Sequence, residues 1–88
     1  MSHLIEFYGE ECPNCIEARK VTKKLEDKEG IKIDRIEIWH NKENMKKMEE
    51  CDKGECDGVP FFVNTKTGKR LCGEVSYNEF KEWALEEK

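Results

Sequence analysis

The chain has 88 residues, of which 41% are charged and 36% are hydrophobic, and its formal net charge at pH 7 is -4. This length suits one small domain with a single modest core. The acidic balance argues against general affinity for nucleic acid or anionic membranes. No apolar run has the length of a membrane helix, and the N-terminus lacks the pattern of a signal peptide. We therefore expect one domain over residues 1–88, located in the cytoplasm.

The first half of the chain predicts a strand, a helix and a second strand. Residues 3–8 are mostly apolar and are followed by Gly9, which is typical of a short buried strand. Residues 13–29 predict a helix, because a proline suits the first helical position and Gly30 suits the position after the last turn. Residues 31–39 form the second predicted strand.

The second half of the chain predicts a short helix, a hairpin and a final helix. Asn41 is a suitable N-cap for a helix that extends to Cys51, and a polar loop follows. Ser76 and Glu79 have the spacing of a capping box at the start of the final helix. The hairpin strands are predicted at 59–63 and 70–72, and the final helix is predicted to end near Glu86.

These elements give the order β-α-β-α-β-β-α. Two strands joined through a helix are normally parallel with a right-handed crossover, whereas the strands of a hairpin are antiparallel. The sequence therefore predicts an α/β fold with a four-stranded mixed sheet flanked by three helices.

Cys12 and Cys15 are separated by two residues and lie where the first helix is predicted to begin. A Cys-x-x-Cys at such a place indicates either a dithiol redox site or half of a metal site. The chain has five cysteines, and in a reducing compartment cysteines are more often catalytic or metal-binding than structural.

The motif Cys12-Pro13-Asn14-Cys15 at the end of the first strand resembles the thioredoxin-like superfamily, in the short form typical of glutaredoxins. The segment 58–60 (Gly-Val-Pro), which precedes an apolar strand, resembles the cis-proline loop of that superfamily. The resemblance implies a thioredoxin-like fold and a thiol-disulfide oxidoreductase that reduces protein disulfides. Cys12 would be the nucleophile and Cys15 the resolving thiol, with no cofactor besides their own redox-active disulfide.

Glu6 and Arg35 match a buried acid and a basic residue of thioredoxins. A carboxyl group in a low dielectric has a raised pKa and can accept a proton from Cys15 as that thiol attacks. A neighbouring arginine would reduce the free-energy cost of burying the acid. The alternative is that both residues are partly exposed strand charges.

The surface around Cys12 is expected to bind the client protein. The resemblance implies that Gly58, Val59 and Pro60 align the client backbone beside Cys12, with Pro13 and Glu11 on the same surface. Glu11 stands where thioredoxins place an aromatic residue. Gly58 stands where glutaredoxins favour a threonine that holds glutathione.

The expected partners are client proteins that contain disulfides, and a reductase or low-molecular-weight thiol that supplies electrons. Glu10 and Glu11 should disfavour acidic clients by like-charge repulsion. We expect a monomer with no nucleic-acid or membrane partner.

Cys51 and Cys56 allow three interpretations. The first is a second disulfide or electron relay, the second is a zinc site shared with Cys12 and Cys15, and the third is that the two cysteines have separate roles. Cys72 is expected to be a small buried hydrophobic residue. The alternative function is accordingly a non-catalytic metal-binding or protein-interaction domain on the same fold.

Overall fold

The computed structural model describes residues 3–52, 56, 58–73 and 75–85. Its strands are β1 (Leu4–Tyr8), β2 (Asp34–Glu37), β3 (Phe61–Asn64) and β4 (Arg70–Cys72), and its helices are α1 (Pro13–Glu29), α2 (Lys42–Asp52) and α3 (Tyr77–Leu85). The predicted order of elements is confirmed. The predicted end of the final helix at Glu86 and most of the polar loop after α2 lie outside the described residues.

The four strands form one mixed sheet in the order β2-β1-β3-β4. Strand β1 is parallel to β2 and antiparallel to β3, and β3 is antiparallel to β4. The register places Glu6 beside Arg35 and Phe61 beside Cys72. The parallel first pair and the antiparallel hairpin are therefore as predicted. Strand β2 is shorter than predicted, because only its four central residues pair with β1.

Apolar side chains pack on both faces of the sheet. Helices α1 and α3 cover one face, where the buried cluster comprises Leu4, Ala18, Leu25, Ile33, Phe62, Phe80, Trp83 and Ala84. Helix α2 covers the other face, where the buried cluster comprises Phe7, Ile38, Met48, Phe61 and Val63. The central strands β1 and β3 are thus buried on both sides, which explains their nearly continuous apolar sequence.

The helix ends follow the capping chemistry of the sequence. Gly30 adopts a left-handed conformation, with φ of 64°, and its N–H donates to the Glu26 carbonyl at 3.0 Å. The side chain of Asn41 accepts the Asn44 N–H at 3.1 Å, and Ser76 Oγ accepts the Glu79 N–H at 3.3 Å. Within the described residues, no helix has both the length and the apolar character needed to span a membrane.

Candidate functional site

Cys12 caps the N-terminus of α1, and Pro13 occupies the first turn. The Cys12 backbone is extended, with φ of -74° and ψ of 116°, and its N–H donates to the Gly9 carbonyl at 3.0 Å. Its sulfur accepts the backbone N–H of Cys15 at 3.3 Å. This cap aims one of the free amides of the helix terminus at the Cys12 sulfur.

Cys15 lies one helical turn further along and is the more deeply buried of the two thiols. It is 1% exposed, against 5% for Cys12. Burial, together with the hydrogen bond to Cys12, raises the pKa of the Cys15 thiol to about 12. Cys15 is therefore a neutral thiol at neutral pH and needs a proton acceptor before it can attack another sulfur.

The peptide bond between Val59 and Pro60 is cis, as the resemblance implied. The Cys12 thiol faces the Val59 carbonyl, with 3.9 Å between sulfur and oxygen. Pro60 is buried, Val59 is partly buried and Gly58 is exposed. Residues separated by more than half of the sequence therefore meet at the nucleophile, and this part of the predicted site is assembled in the structure.

Glu6 is fully buried in β1, so the alternative of a partly exposed strand charge is wrong for this residue. Its Oε1 accepts a hydrogen bond from Arg35 Nε at 3.2 Å, while its Oε2 has no hydrogen-bond partner among the described residues. Burial raises the pKa of the Glu6 carboxyl, and the charge of Arg35 opposes this shift. The Arg35 guanidinium also lies over the Tyr8 ring, 4.0 Å from its centre.

Two further charges act on Glu6 and were not found from the sequence. Arg19 Nη1 pairs with Glu26 Oε1 at 2.9 Å, and Glu26 Oε2 accepts the Ile33 N–H at 2.8 Å. The charge of Arg19 lowers the pKa of Glu6 and the charge of Glu26 raises it. Arg19 and Glu26 are seven residues apart, which is two helical turns, so helical spacing could have placed both on the face that covers β1.

The rim of the site carries exposed charges. His40 Nε2 lies 2.7 and 2.8 Å from the two carboxylate oxygens of Glu11, and this contact raises the pKa of His40. The Glu10 N–H donates to Glu37 Oε2 at 2.9 Å. His40 had no predicted role, because its contact with Glu11 joins two residues that are far apart in the sequence.

Exposed apolar side chains also border the site. Ile16, next to Cys15, is 53% exposed, and Trp39 is 47% exposed. The Trp39 ring packs so closely over Gly9 that any side chain at Gly9 would overlap with it. A groove of ≈ 240 Å³ lies between α2 and the cis-proline loop, and its apolar lining comprises Ile38, Trp39, Met45, Met48 and Val59.

The structure corrects the interpretation of the remaining cysteines. Cys56 forms a disulfide with Cys72, with 5.6 Å between their Cα atoms, and Cys51 is a free thiol. Of the three interpretations, a disulfide between Cys51 and Cys56 is therefore wrong, and the two cysteines instead have separate roles. The expectation that Cys72 is buried is also wrong, because Cys72 lies exposed on β4. The hairpin causes this pairing, since it brings β4 beside the loop that precedes Pro60.

The alternative of a zinc site built from Cys12, Cys15, Cys51 and Cys56 is also not realised in the described part of the chain. Zinc binds thiolates, and the Cys56 sulfur is covalently bonded to that of Cys72. The site that the structure does assemble contains two thiols, a buried carboxyl group and a cis-proline loop.

Among solved structures, the chain is similar to a glutaredoxin (grx-1) from Archaeoglobus fulgidus. The two have a TM-score of 0.72 and 21% sequence identity, and the match covers 98% of this chain and 89% of that one. No protein-family model matches the sequence, and the comparison with curated proteins finds no match. The chain therefore has a thioredoxin-like fold of the glutaredoxin type, and the predicted fold is confirmed.

Proposed function

We propose that this chain is a thiol-disulfide oxidoreductase that reduces disulfides in client proteins. The observation that carries this proposal is the position of the Cys12 sulfur, which contacts both the Cys15 N–H and the Val59 carbonyl. A thiol at a helix terminus, with a second and more deeply buried thiol one turn away, is the arrangement that dithiol exchange requires.

The reaction proceeds in two exchange steps. The Cys12 thiolate attacks one sulfur of the client disulfide, so that a Cys12–client disulfide forms and the first client sulfur leaves as a thiolate. The Cys15 thiolate then attacks the Cys12 sulfur, which releases the second client thiolate and leaves a Cys12–Cys15 disulfide. The client gains two electrons and the Cys12–Cys15 pair loses two.

Glu6 is the proposed proton acceptor for the second step. Cys15 has a pKa of about 12 and must lose its proton as it attacks. The Glu6 carboxylate is held through Oε1 by Arg35, which leaves Oε2 without a hydrogen-bond partner among the described residues. Electrostatic interaction with Glu6 contributes to the raised pKa of Cys15, so the two groups are close enough to influence each other.

The client is proposed to lie across the cis-proline loop. Gly58 and Val59 would offer backbone groups to an extended client segment beside Cys12, with Pro13 and Glu11 at its edge. The apolar groove next to Val59 would take an apolar client side chain. Glu10 and Glu11 would disfavour acidic clients, since both are exposed beside the nucleophile.

A low-molecular-weight thiol or a reductase would then reduce the Cys12–Cys15 disulfide and complete the cycle. The cytoplasm is the proposed location, because a reducing compartment keeps such a pair reduced.

A disulfide-reduction assay with dithiothreitol as the electron donor tests the proposal. We expect the wild-type chain to accelerate reduction of a disulfide-bonded test protein, and Cys12→Ser to abolish the acceleration. Cys15→Ser should instead accumulate a covalent Cys12–client adduct, visible by intact mass without reductant. Cys51→Ser is the matched control and should retain wild-type activity. An unaltered rate in Cys12→Ser, or no adduct in Cys15→Ser, would contradict the proposal.

A further inference from the structure

We propose that the Cys56–Cys72 disulfide is a second redox-active site, which a dithiol reduces and which thereby releases the cis-proline loop from β4. This inference does not depend on the proposed activity of Cys12 and Cys15. It rests on where the disulfide lies, on the exposure of Cys72, and on the contacts that connect the disulfide to Pro60.

The disulfide joins the cis-proline loop to the edge of the sheet. Cys56 precedes Pro60 by four residues, and Cys72 is the last residue of the edge strand β4. The Cys56 sulfur lies 3.9 Å from the Leu71 carbonyl oxygen, and the Gly73 N–H donates to the Pro60 carbonyl at 3.0 Å. The covalent link and this hydrogen bond therefore hold the same loop against the same strand end.

The two cysteines of this disulfide differ in environment. Cys72 is exposed, whereas Cys56 is partly buried and packs with Val59 against the apolar cluster under α2. Disulfide exchange depends on access to the sulfur that is attacked, and exposed disulfides are typically the labile ones. Cys72 is thus the expected point of attack, and Cys56 the leaving group.

Reduction at this site takes two exchange steps. A thiolate of the dithiol attacks the Cys72 sulfur, the Cys56–Cys72 bond breaks, and Cys56 leaves as a thiolate that takes up a proton. The second thiol of the dithiol loses its proton and attacks its partner sulfur, which releases Cys72 and leaves the dithiol as a disulfide. The domain gains two electrons and two protons, and the dithiol loses them.

We expect the redox state of this disulfide to affect the surroundings of Cys12 through Val59. The Val59 carbonyl faces the Cys12 thiol at 3.9 Å, and Val59 shares its apolar packing with Cys56. Loosening the segment before Pro60 should therefore alter the position of that carbonyl and the shape of the groove beside it. Reduction of the Cys56–Cys72 disulfide would in this way change the geometry of the site around Cys12.

The first experiment isolates the disulfide. In the triple variant Cys12→Ser, Cys15→Ser, Cys51→Ser, only Cys56 and Cys72 remain. We expect native protein equilibrated with mixtures of reduced and oxidised dithiothreitol to change reversibly between zero and two alkylatable thiols. The wild-type chain, with its sites mapped by differential alkylation, provides the same readout if the variant fails to fold.

Two results would overturn the proposal at this stage. One is a disulfide map of the oxidised protein in which Cys56 is unpaired or is paired with Cys51. The other is a Cys56–Cys72 bond that resists excess dithiothreitol in the native protein and is reduced only after unfolding, which would make it purely structural.

The second experiment measures release of the loop. Hydrogen exchange of the Gly73 amide reports its bond to Pro60, and in the triple variant we expect it to become at least about tenfold faster on reduction. The amide of Phe80 in α3, which donates to the Ser76 carbonyl at 3.0 Å, is the internal control and its exchange rate should not change. Equal exchange rates of the Gly73 amide in the two redox states would overturn the proposal that reduction releases the loop. The triple variant lacks the Cys12 and Cys15 thiols, so neither outcome depends on the proposed reductase activity.

Discussion

Glu6 is the one acidic side chain among the fully buried residues that the structure describes. Burial disfavours its charged form more than Arg35 favours it, so the pKa of Glu6 is raised. An acid that lowers stability when ionised is unusual in the middle of a central strand. Groups with strongly perturbed pKa values concentrate at functional sites, which supports a chemical role for this carboxyl group.

Replacing Glu6 with glutamine should stabilise the domain at neutral and alkaline pH. A raised pKa in the folded state means that the contribution of Glu6 is fully present below pH 4.5 and is lost as the pH rises through the folded pKa. Glu6→Gln has no such loss. The gain should be about 1.4 kcal/mol for each pKa unit by which folding raises this group. Denaturant unfolding of the reduced protein between pH 4 and pH 9 measures it.

Glu17→Gln is the matched control, because it makes the same chemical change at an exposed position of α1. Its unfolding free energy should follow that of the wild type across the pH range. If Glu6→Gln and wild type also kept a constant difference from pH 4 to pH 9, folding would not raise the pKa of Glu6.

Cys15 should resist alkylation up to high pH. With a pKa of about 12, about one Cys15 thiol in a thousand is ionised at pH 9, and only the thiolate reacts rapidly. We therefore expect the labelling rate of Cys15 in the reduced protein to rise about tenfold per pH unit up to pH 11. Labelling followed by peptide mass mapping measures this rate, and the same peptide in unfolded protein is the control. A plateau near pH 9 would show that burial does not hold the proton on Cys15.

The turn between β1 and α1 depends on contacts with the segment that follows β2. The Gly9 carbonyl accepts the Cys12 N–H, and the Trp39 ring lies directly over Gly9. The same segment carries His40, which pairs with Glu11. The loop that positions Cys12 is therefore held from outside by side chains of a neighbouring segment as well as by its own backbone.

Gly9→Ala should displace Trp39 and destabilise the domain by about 1 to 3 kcal/mol, the usual range for an overpacked site. Because Trp83 is fully buried, iodide quenching of tryptophan fluorescence reports mainly on Trp39. We expect stronger quenching in the variant together with the loss of stability.

Gly58→Ala is the comparison for Gly9→Ala, since an added Cβ at Gly58 meets no atom within 4 Å. It should leave both stability and iodide quenching close to the wild-type values. Equal stability of the two variants would show that the Trp39 ring can move without loss of stability. Its packing would then not stabilise the turn.

The elements that the sequence predicted well are those specified by neighbouring residues. Proline after Cys12 and glycine after α1 set the ends of the first helix locally, and the capping residues of α2 and α3 act over three residues. The contact between Glu6 and Arg35 followed from placing the two residues on adjacent strands by resemblance. Local chemistry and the order of the strands were sufficient for these features.

The features that could not be predicted from the sequence depend on contacts between distant segments. Whether Cys56 pairs with Cys51 or with Cys72 depends on the course of the loop before Pro60 and on the β3–β4 register, and cysteine spacing specifies neither. The packing of Trp39 over Gly9 and the pairing of His40 with Glu11 are likewise contacts across the fold. Such contacts leave no periodic pattern in the sequence.

For the domain as a whole, the sheet divides the interior into two apolar layers that differ in size and composition. The layer under α1 and α3 contains the larger cluster and also encloses Glu6 and Thr22. The layer under α2 is smaller, and Cys56 packs at its margin. With a core of this size, a covalent link at the margin should contribute a substantial part of the total stability.

Removal of the Cys56–Cys72 disulfide should therefore destabilise the oxidised domain. The bond closes a loop with a sequence separation of 16 residues, and a loop of about this length contributes about 3 kcal/mol by limiting the unfolded chain. We expect the double variant Cys56→Ala, Cys72→Ala to lose about this much in denaturant unfolding without reductant. With reductant, the variant and the wild type should unfold at nearly the same denaturant concentration.

The same free energy also determines how the reduction potential of the disulfide differs between the folded and the unfolded protein. In a thermodynamic cycle, a bond that stabilises the fold by about 3 kcal/mol must be harder to reduce in the folded protein than in the unfolded chain, by about 60 mV. Redox titration of the Cys56–Cys72 pair with and without denaturant measures this difference directly. Agreement between the two measurements would show that loop closure accounts for the stabilisation. A smaller difference in potential, with no matching stability loss in the double variant, would show that the native contacts around Cys72 oppose the bond.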